Sequence, residues 1–409
     1  MIERLPRVVI IGGGAAGFFC AANLDHSRYH IQILEQNAEV LQKVKISGGG
    51  RCNLTHACFD PRELVRFYPR GHKELLSVFS KFQPADTMAW FHAEGVPLKI
   101  EADQRVFPES NSSQTIIDTL CRKVENQVEV LTKITVKDIT PRENGGYLIT
   151  TNQNDIEADL IIFTTGSSPK AFRLLERLGH RLIPPVPSLF TFNIKDALLE
   201  GLSGTSFPYA EVKITLSKAE ESGALLITHW GLSGPAILKL SAWQARHLAD
   251  LNYQFDLEVN FLGTTVEDAF QNLKDFKTEH AHKKLYQIKP FEITSRFWVR
   301  ILETVSINPE ERWAQLSKAQ LLLIAETLCK KRFKVNGKST FKEEFVTAGG
   351  VSLKEIDFKT MASKRLPNFY IAGEVLDIDA VTGGFNFQAC WSEAWLIAQH
   401  LNQTTHHQP

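Results

Sequence analysis

The first 35 residues follow the apolar and polar pattern of a β-α-β unit. Arg7–Ile11 (RVVII) is an almost continuous apolar run, which is typical of a strand buried on both faces of a parallel sheet. Residues 14–23 then carry small and apolar side chains that favour a helix, and residues 31–34 (IQIL) form a second apolar run. The pattern predicts a strand, a helix and a strand in direct succession.

Two later apolar runs predict further buried strands. Residues 160–165 (LIIFTT) end at Gly166, and residues 368–372 (NFYIA) end at Gly373. In doubly wound α/β sheets, ligands bind at the carboxyl ends of the strands. We therefore expect both glycines to begin loops that face a ligand.

The middle of the chain has a different pattern. Residues 184–239 show short alternating segments such as 210–216 (AEVKITL), which favour antiparallel strands. Residues 266–334 are rich in Lys, Glu, Leu and Phe and predict helices. We expect an α/β protein whose Rossmann-like nucleotide-binding domain is built from both chain ends, with an inserted β-rich domain and a helical subdomain. The expected bounds are 1–185 and 341–409 for the nucleotide-binding domain, 186–262 for the β-rich domain and 263–340 for the helices.

Composition narrows the class of protein. A chain of 409 residues is too long for one ordinary core, and 43% hydrophobic with 22% charged residues is the profile of a globular protein. The 46 basic residues equal the 46 acidic ones, so net charge gives no sign of a polyanion partner. The six cysteines form no C-x-x-C pair, no apolar stretch approaches the roughly 20 residues of a membrane span, and the start lacks a signal-peptide pattern. We expect a cytoplasmic protein without a metal or a membrane partner.

The glycine-rich stretch after the first strand is a dinucleotide fingerprint. Residues 12–17 (GGGAAG) match G-x-G-x-x-G between a strand and a helix. Gly12 permits the tight turn, Gly14 lets the backbone approach a pyrophosphate, and Gly17 allows close packing of helix on strand. The free N–H groups at the helix N-terminus, at Ala15 and Ala16, favour an anion there.

An acidic residue completes the fingerprint. Glu35 ends the second strand 18 residues after Gly17, where a carboxylate holds the ribose hydroxyls, and Gln36 follows it. A carboxylate at this place repels a ribose phosphate and favours FAD or NAD over NADP. The alternative, a glycine-rich turn in an unrelated α/β fold, leaves Glu35 unexplained.

The C-terminal region distinguishes FAD from NAD. After the strand at 368–372 come residues 373–377 (GEVLD), then Gly383 and Gly384 before a helical run at 389–400. A carboxylate past a strand suits ribitol hydroxyls, and a helix N-terminus stabilises the charge that the flavin pyrimidine gains on reduction. An ordinary β-α turn remains an equal alternative on composition alone. The expected FAD contacts here are Gly373, Glu374, Asp377, Gly384, Phe385, Asn386 and Phe387. No second strand–GxGxxG–helix unit follows, so NADH or NADPH is expected only as a transient reductant.

Several further motifs give the chain a family resemblance. They are Lys43 with residues 46–55 (ISGGGRCNLT), 105–108 (RVFP), 228–236 (THWGLSGPA), 347–351 (TAGGV), 360–361 (TM) and the block 373–388. From residue 8 to about 395 the chain resembles the BaiN-like (YhiN-like) flavoprotein oxidoreductases. The resemblance implies FAD in a Rossmann-like domain with an inserted β-barrel-like domain and a helical subdomain. It also implies reduction of a conjugated C=C bond, either in a steroid-type enone or in uridine of ribosomal RNA.

The family motifs supply the remaining candidate residues. Cofactor contacts are expected at Lys43, Gly50, Arg51, Cys52, Asn53, Val136, Thr165 and Gly166. Cys52 is a candidate general acid if its pKa is lowered, and a small buried apolar residue otherwise. His229 is a candidate catalytic residue or a hydrogen-bonded structural one. Arg51 is expected to contact a phosphate or an anionic substrate, and Lys43 either does the same or is a surface lysine.

The chain departs from the family pattern at two places. The family follows its A-T-G-G strand end with a glycine-rich loop, whereas residues 164–170 (TTGSSPK) pass straight to a predicted helix at 171–179 and are shorter by roughly eight residues. Phe385 replaces the family tyrosine. The substrate is therefore left open between a small molecule and RNA, and a flavin-binding protein with little turnover is a third hypothesis. A basic run at 330–334 (KKRFK) is either an RNA contact or a solvated helix end.

Overall fold

The computed structural model describes residues 4–143, 145–215, 217–339 and 346–404. Its contacts divide the chain into two units. Met1–Val186 and Lys342–Pro409 form the terminal unit, and Pro187–Phe341 form the inserted unit.

The terminal unit begins with eleven strands and seven helices, numbered in chain order. Its strands are β1 (Arg7–Ile11), β2 (His30–Leu34), β3 (Thr55–His56), β4 (Leu98–Ile100), β5 (Arg105–Pro108), β6 (Val128–Leu131), β7 (Val136–Pro141), β8 (Tyr147–Thr151), β9 (Asp155–Ala158), β10 (Leu160–Phe163) and β11 (Leu182–Pro187). Its helices are α1 (Ala15–Asn23), α2 (Gln42–Gly50), α3 (Pro61–Leu64), α4 (His72–Phe79), α5 (Pro84–Ala93), α6 (Ser113–Val124) and α7 (Pro169–Arg177).

The chain then forms the inserted unit and returns to the terminal unit. The inserted strands are β12 (Thr191–Ile194), β13 (Ser206–Ile214), β14 (Glu220–Ile227), β15 (Gly231–Ser233), β16 (Gln254–Asn260) and β17 (Lys331–Ser339). The inserted helices are α8 (Pro235–Trp243), α9 (Ala245–Asp250), α10 (Val266–Glu279), α11 (Ser295–Thr304) and α12 (Lys318–Cys329). The final elements are β18 (Thr347–Val351), β19 (Ile356–Asp357), β20 (Ala362–Ser363), β21 (Phe369–Ile371) and α13 (Phe385–Gln403).

A seven-stranded sheet organises the terminal unit. Its order is β19-β20-β21-β10-β1-β2-β6, and the five strands from β21 to β6 run parallel to one another, while β20 is antiparallel to β21. Val8, Val9 and Ile10 of β1 have no exposed surface, as the continuous apolar run predicted. Because β21 pairs with β10, the two chain ends share one sheet. This confirms the predicted Rossmann-like domain.

Two helices pack closely on this sheet and on each other. Seven of the nine residues of α1 are buried, so the helix is apolar on all sides and needs cover on each of them. Much of that cover is α13, whose Trp391 ring lies 5.2 Å from the ring of Phe19. The C-terminal helix extends over Phe385–Gln403 and is longer than the predicted 389–400, because it begins directly after the Gly383-Gly384 turn.

The inserted unit is built around a closed barrel. Six strands close in the order β12-β15-β14-β13-β16-β17. Inward-facing side chains such as Phe192, Val212 and Leu257 are fully buried, and helices α8 and α10–α12 complete the same core. The predicted inserted β-barrel-like domain and its helices are therefore confirmed.

Three predictions about the inserted unit need correction. Residues 331–334 were predicted to be helical, but Lys331–Ser339 is barrel strand β17, in which Phe333 and Val335 point inward while Arg332 and Lys334 are exposed. Pro235–Trp243, placed among predicted strands, is helix α8, which Pro235 starts at its first turn. The predicted strand at 210–216 ends at Ile214, and Leu216 lies outside the described residues.

Candidate cofactor site

The glycine fingerprint brings α1 against the sheet without space for side chains. A Cβ on Gly12, whose φ is +114°, would lie 2.5 Å from the Thr164 carbonyl oxygen. A Cβ on Gly17 would lie 2.2 Å from the Gly12 carbonyl oxygen. The Thr164 hydroxyl donates a hydrogen bond to that same oxygen (3.0 Å). The packing role predicted for Gly17 therefore has a direct geometric cause.

The N-terminus of α1 has the features of an anion site. Its N-cap residue, Gly14, has no side chain to cap the helix, and the first intrahelical bond runs from the Phe18 N–H to the Gly14 carbonyl (3.0 Å). The N–H groups of Ala15 to Gly17 therefore lack intrahelical acceptors. A Cβ on Gly14 would meet nothing within 4 Å, so there is open space in front of these donors. This fits a dinucleotide diphosphate.

Glu35 stands at the end of β2, as predicted. It is buried, with 8% exposure. Its Oε2 accepts a hydrogen bond from the Gly13 N–H (2.9 Å), and its Oε1 accepts from the Asn37 N–H and Nδ2 (2.8 Å each). The carboxylate is thus fixed beside the fingerprint, where it can also accept from ribose hydroxyls. Gln36, which follows it, is exposed.

The second helix N-terminus lies after the Gly383-Gly384 turn. Gly384 has φ +91°, and a Cβ there would lie 2.6 Å from the Thr55 carbonyl oxygen. The Asn53 carboxamide accepts from the Gly384 N–H (2.9 Å) and donates to that carbonyl (3.1 Å). Asn53 therefore joins the loop before β3 to the start of α13. The first α13 bond runs from the Gln388 N–H to the Gly384 carbonyl, which leaves the N–H groups of residues 385–387 without intrahelical acceptors.

The side chains after Gly384 point into the protein. The Phe385 ring packs against the rings of Phe67 (4.3 Å) and His56 (4.5 Å), which also contact each other (5.6 Å). Asn386 exchanges hydrogen bonds with the Ala380 backbone (3.0 and 3.2 Å), and the Phe387 ring stacks on Trp391. Residues 385–387 therefore offer a cofactor their backbone N–H groups, while their side chains fix the helix start.

The ends of β10 and β21 lie close together. A Cβ on Gly166 would lie 3.6 Å from Oε2 of Glu374. That carboxylate is already engaged, because Glu374 forms an ion pair with Lys43 and accepts from the Thr347 N–H (3.1 Å). Lys43 is thus an exposed lysine paired with an acid, as the surface alternative expected, and its contact with a phosphate stays a prediction.

Arg51 also has a different partner from the one predicted. Its guanidinium forms an ion pair with Glu101 (2.7 Å) and lies 4.0 Å from the centre of the Phe107 ring. Carboxylate pairing and aromatic stacking use the planar cation fully. In this structure Arg51 holds β5 and its neighbouring loop, and its contact with a phosphate or an anionic substrate stays a prediction.

Cys52 does not have the environment of a general acid. Its side chain has no exposed surface, and burial raises the pKa of its thiol to about 12. The prediction of a lowered pKa is therefore wrong. Its backbone adopts φ +58° two residues after the left-handed glycines Gly48–Gly50, with Arg51 at φ −96° between them. A small side chain suits this tight turn, which is the structural alternative given above.

Four further predicted residues lie in loops or at the start of a strand. His229 is exposed in the turn between β14 and β15 of the inserted unit. The Asp377 N–H donates to the Val351 carbonyl (3.1 Å), and the Thr165 hydroxyl donates to the Gly166 carbonyl (3.3 Å). Val136 begins β7 and lines a cavity of about 710 Å³ together with residues of α7.

Two buried polar residues of α13 were missed by sequence reasoning. The Gln388 amide oxygen accepts from the hydroxyls of Thr55 (2.5 Å) and Thr87 (3.0 Å). Glu393 has no exposed surface, and its Oε2 accepts from the Gly373 N–H (2.6 Å). The available signal was a glutamate within the largely apolar run 389–398, because a glutamate is rarely buried without a partner.

Two other features, a metal-binding cluster and a membrane-spanning helix, are absent from the described residues. No group of three or more His, Cys, Asp or Glu within the described ranges is arranged to hold a metal ion. None of the helices in the described part of the chain is long and apolar enough to cross a membrane.

Comparison with known proteins assigns the family. The model of the family described as HI0933-like protein Rossmann domain matches residues 6–400. The chain belongs to this family. The resemblance to BaiN-like (YhiN-like) flavoproteins is thereby confirmed, and the chain is an FAD-dependent oxidoreductase.

Family relatives of full length carry two different names. A ribosomal RNA dihydrouridine synthase of Escherichia coli K12 is 28% identical over 98% of both chains. A 3-dehydro-bile acid delta(4,6)-reductase of Clostridium scindens is 27% identical over 97% of this chain and 98% of the relative. Among solved structures, a 3-ketosteroid-delta4-(5alpha)-dehydrogenase of Rhodococcus jostii RHA1 aligns with a TM-score of 0.49 and 11% identity, over 97% of this chain and 98% of that one.

Proposed function

We propose that this enzyme uses FAD, reduced by NADH or NADPH, to saturate a C=C bond conjugated to a carbonyl group in a small molecule. The observation that carries the proposal is the pair of helix N-termini, at Gly14 and Gly384, that one unit offers to one dinucleotide. Chemistry supports it, because the two named relatives share a reaction type. Forming dihydrouridine and reducing a delta(4,6) steroid both saturate C=C bonds conjugated to a carbonyl.

Each part of the candidate cofactor site has a separate task in this proposal. The α1 N-terminus holds the diphosphate, and Glu35 orients the adenosine ribose. The N–H groups that open α13 stabilise negative charge on the flavin pyrimidine. When bound, FAD supplies the hydride transfer that no side chain can perform. The protein's remaining tasks are to bind the acceptor, exclude water and deliver a proton.

The proton donor is proposed to be His229. Cys52 is a poor choice, because its thiol is buried and its raised pKa makes it a weak acid at neutral pH. His229 is exposed, and its imidazole is the side chain that most often serves as a general acid or base in enzymes.

Turnover of a defined probe tests the small-molecule proposal. The FAD-loaded enzyme is incubated without oxygen with NADH or NADPH and a 3-oxo-Δ4,6 bile acid, and the products are analysed by mass spectrometry. The proposal expects a gain of two or four hydrogen atoms, absent without reductant. A panel of conjugated carbonyl compounds that all remain unreduced, while the flavin itself is reduced, would contradict it.

Reduction of uridine in ribosomal RNA is the second candidate. The name of the Escherichia coli relative favours it, as does the cavity beside Val136, which is lined by the cations Lys137, Lys170, Arg173 and Arg177. The basic run at 330–334 gives it less support than predicted. Lys331 pairs with Asp196 (3.4 Å), Arg332 pairs with Glu258 (3.3 Å), and Lys334 lies opposite Asp256 across β16 and β17.

Dihydrouridine mapping separates the two candidates. Ribosomal RNA is mapped from cells with the gene, without it, and with a Lys170→Glu/Arg173→Glu variant. The RNA candidate expects one site to lose its modification in both altered strains, while the variant still binds FAD. Unchanged modification on loss of the gene would exclude it.

A further inference from the structure

Glu393 is a buried carboxyl group with an incomplete set of hydrogen bonds. It lies in the third turn of α13 and has no exposed surface. Its Oε2 accepts from the Gly373 N–H (2.6 Å), whereas its Oε1 is buried and has no hydrogen-bond partner within the described residues. A carboxylate with one hydrogen bond in a dry interior is strongly disfavoured, so this geometry favours the neutral acid.

Gly373, whose N–H donates to Glu393, lies next to the candidate cofactor site. Gly373 follows β21 by two residues and has φ +84°, and a Cβ there would lie 3.4 Å from the Ala16 Cβ and 3.6 Å from the Cys390 Sγ. Ala16 lies in the first turn of α1, where the diphosphate site is proposed. The Gly373 turn is therefore held between α1 on one side and the Glu393 carboxyl on the other.

The charged surroundings of Glu393 do not compensate for burial. Burial raises the pKa of its carboxyl to about 8, opposed only by the Gly373 hydrogen bond. The titratable groups that interact with it are Tyr68, at the end of the turn Val65–Phe67, and Cys390 on its own helix, and Glu393 raises the pKa of both. Helix α1 contributes the buried thiol of Cys20, whose pKa is raised by burial. The titratable residues of the neighbouring β3, α4 and α5 are exposed or half-buried: His56, His72, Lys73, Glu74, Asp86 and His92.

We propose that Glu393 is a positioning residue of the cofactor site, whose neutral carboxyl holds the Gly373 turn so that tight FAD binding requires a proton on this side chain. The inference rests on the proposed place of the FAD diphosphate at the α1 N-terminus. A diphosphate at this place brings two negative charges close to the Gly373 turn, which lies beside Ala16 of α1. An ionised Glu393 next to that turn repels them through a medium of low dielectric constant.

FAD binding and protonation of Glu393 are thermodynamically linked, and this linkage fixes the direction of the pH effect. Bound FAD raises the pKa of Glu393 above its value in the apoprotein, because the added negative charge disfavours the carboxylate. FAD affinity is then constant while Glu393 stays protonated in both forms. It falls as the pH rises through the apoprotein pKa of about 8, with a limiting slope of about tenfold per pH unit.

The test measures FAD dissociation constants between pH 6 and pH 9.5. The wild-type constant is expected to rise at least fivefold between pH 8 and pH 9. Glu393→Gln keeps the size of the side chain and removes its charge, so its constant is expected to match the wild type at pH 7 and to change less than twofold up to pH 9. The control Glu326→Gln alters an exposed glutamate of α12 and is expected to follow the wild type. Cys390→Ala, which removes the neighbouring thiol, is expected to keep the wild-type slope.

A measurement without FAD reports on the carboxyl itself. The native pKa of Glu393 lies above its unfolded value of about 4.5, so its stabilising contribution is present at low pH and is lost as the pH rises towards 8. The Tm of apo Glu393→Gln is therefore expected to gain on that of the wild type between pH 5 and pH 8. The same dependence on pH in both apoproteins would show that Glu393 does not hold a proton.

Three outcomes would contradict the proposal, and each has a distinct meaning. A wild-type dissociation constant that does not change with pH would remove the proton coupling. A Glu393→Gln constant as dependent on pH as that of the wild type would move the coupling to another group. A Cys390→Ala variant without the slope would move it to the thiol. Failure of the wild type to bind FAD at any pH would instead refute the proposal that FAD occupies the candidate cofactor site.

Discussion

At the scale of single residues, some side chains of the candidate cofactor site are placed to contact a cofactor, whereas others are paired within the protein or buried. Glu35 lies where its place after the second strand predicted, because the end of a parallel strand and a glycine turn fix one another locally. Arg51, Lys43 and Cys52 lie in motifs that the sequence marks equally well, yet they pair with acids or are buried. A motif specifies a turn, whereas the partners of its side chains come from distant segments such as β5 and the loop after β21.

The ribose assignment predicts a specific effect of removing Glu35. Glu35→Ala is expected to raise the FAD dissociation constant by about 10-fold to 100-fold, because hydrogen bonds to a charged group contribute about 1.5–3 kcal/mol. Titration with FAD by fluorescence quenching measures this constant. The control is Glu39→Ala, an exposed glutamate four residues away, which is expected to bind FAD as the wild type does. Equal constants for both variants and the wild type would refute the assignment.

The burial of Glu393 could not be predicted from the residue pattern. A single glutamate in the largely apolar run 389–398 marks an unusual position but does not decide whether the side chain is exposed or buried, since an amphipathic helix also carries isolated acids. Only the packing of α13 between the sheet-bound α1 and the helices α4 and α5 removes every exposed side. Its burial is therefore a property of the tertiary structure.

At the scale of secondary-structure elements, local patterns predicted the β1-α1-β2 unit almost to the residue. The first strand matches Arg7–Ile11, and the helix begins one residue after the predicted start. Strand β17 was mistaken for helix because Lys, Arg and Phe occur in both, and its period of two is short. The barrel decides the outcome, since β17 pairs with both β16 and β12 and closes the sheet.

Substitutions of two fingerprint glycines are expected to affect different properties, the stability of the apoprotein at Gly17 and FAD binding at Gly14. Gly17→Ala places a Cβ 2.2 Å from the Gly12 carbonyl oxygen and is expected to destabilise the apoprotein by several degrees in Tm. Gly14→Ala has open space and φ −93°, so its apoprotein is expected to melt within about 2 °C of the wild type. Because that space is assigned to the diphosphate, Gly14→Ala is nevertheless expected to bind FAD at least tenfold more weakly.

Melting curves with and without FAD distinguish these effects. If Gly14→Ala binds FAD with wild-type affinity, the diphosphate does not occupy the space in front of α1. If Gly17→Ala melts with the wild type, α1 can move away from the sheet and the close packing described here is not required.

At the scale of the whole molecule, the sheet order explains why the chain ends act together. β21 from the C-terminal segment lies next to β10, two strands from β1, so both glycine turns belong to one unit. The apolar runs near both chain ends predicted this arrangement, and the family resemblance implied it as well. The substrate was not predictable, because the connection after Gly166 is shorter than the family pattern and His229 lies in the other unit.

The division into units predicts a selective effect at His229. His229→Gln is expected to leave FAD binding and flavin reduction by NAD(P)H within twofold of the wild type, because the terminal unit supplies every cofactor contact proposed here. Turnover of a conjugated carbonyl substrate is expected to fall about 100-fold, as typical for loss of a general acid. Steady-state rates beside single-turnover flavin reduction separate the two steps. Full turnover in this variant would exclude His229 as the proton donor.

The central claim is that one FAD, held by both helix N-termini of the terminal unit, accepts electrons from a nicotinamide and passes them on. Anaerobic stopped-flow absorbance of the protein loaded with FAD tests it most directly. The account predicts about one FAD per chain, and loss of the oxidised flavin spectrum when NADH or NADPH is mixed in. A protein that retains no FAD after reconstitution, or whose bound flavin neither nicotinamide reduces, would contradict the account.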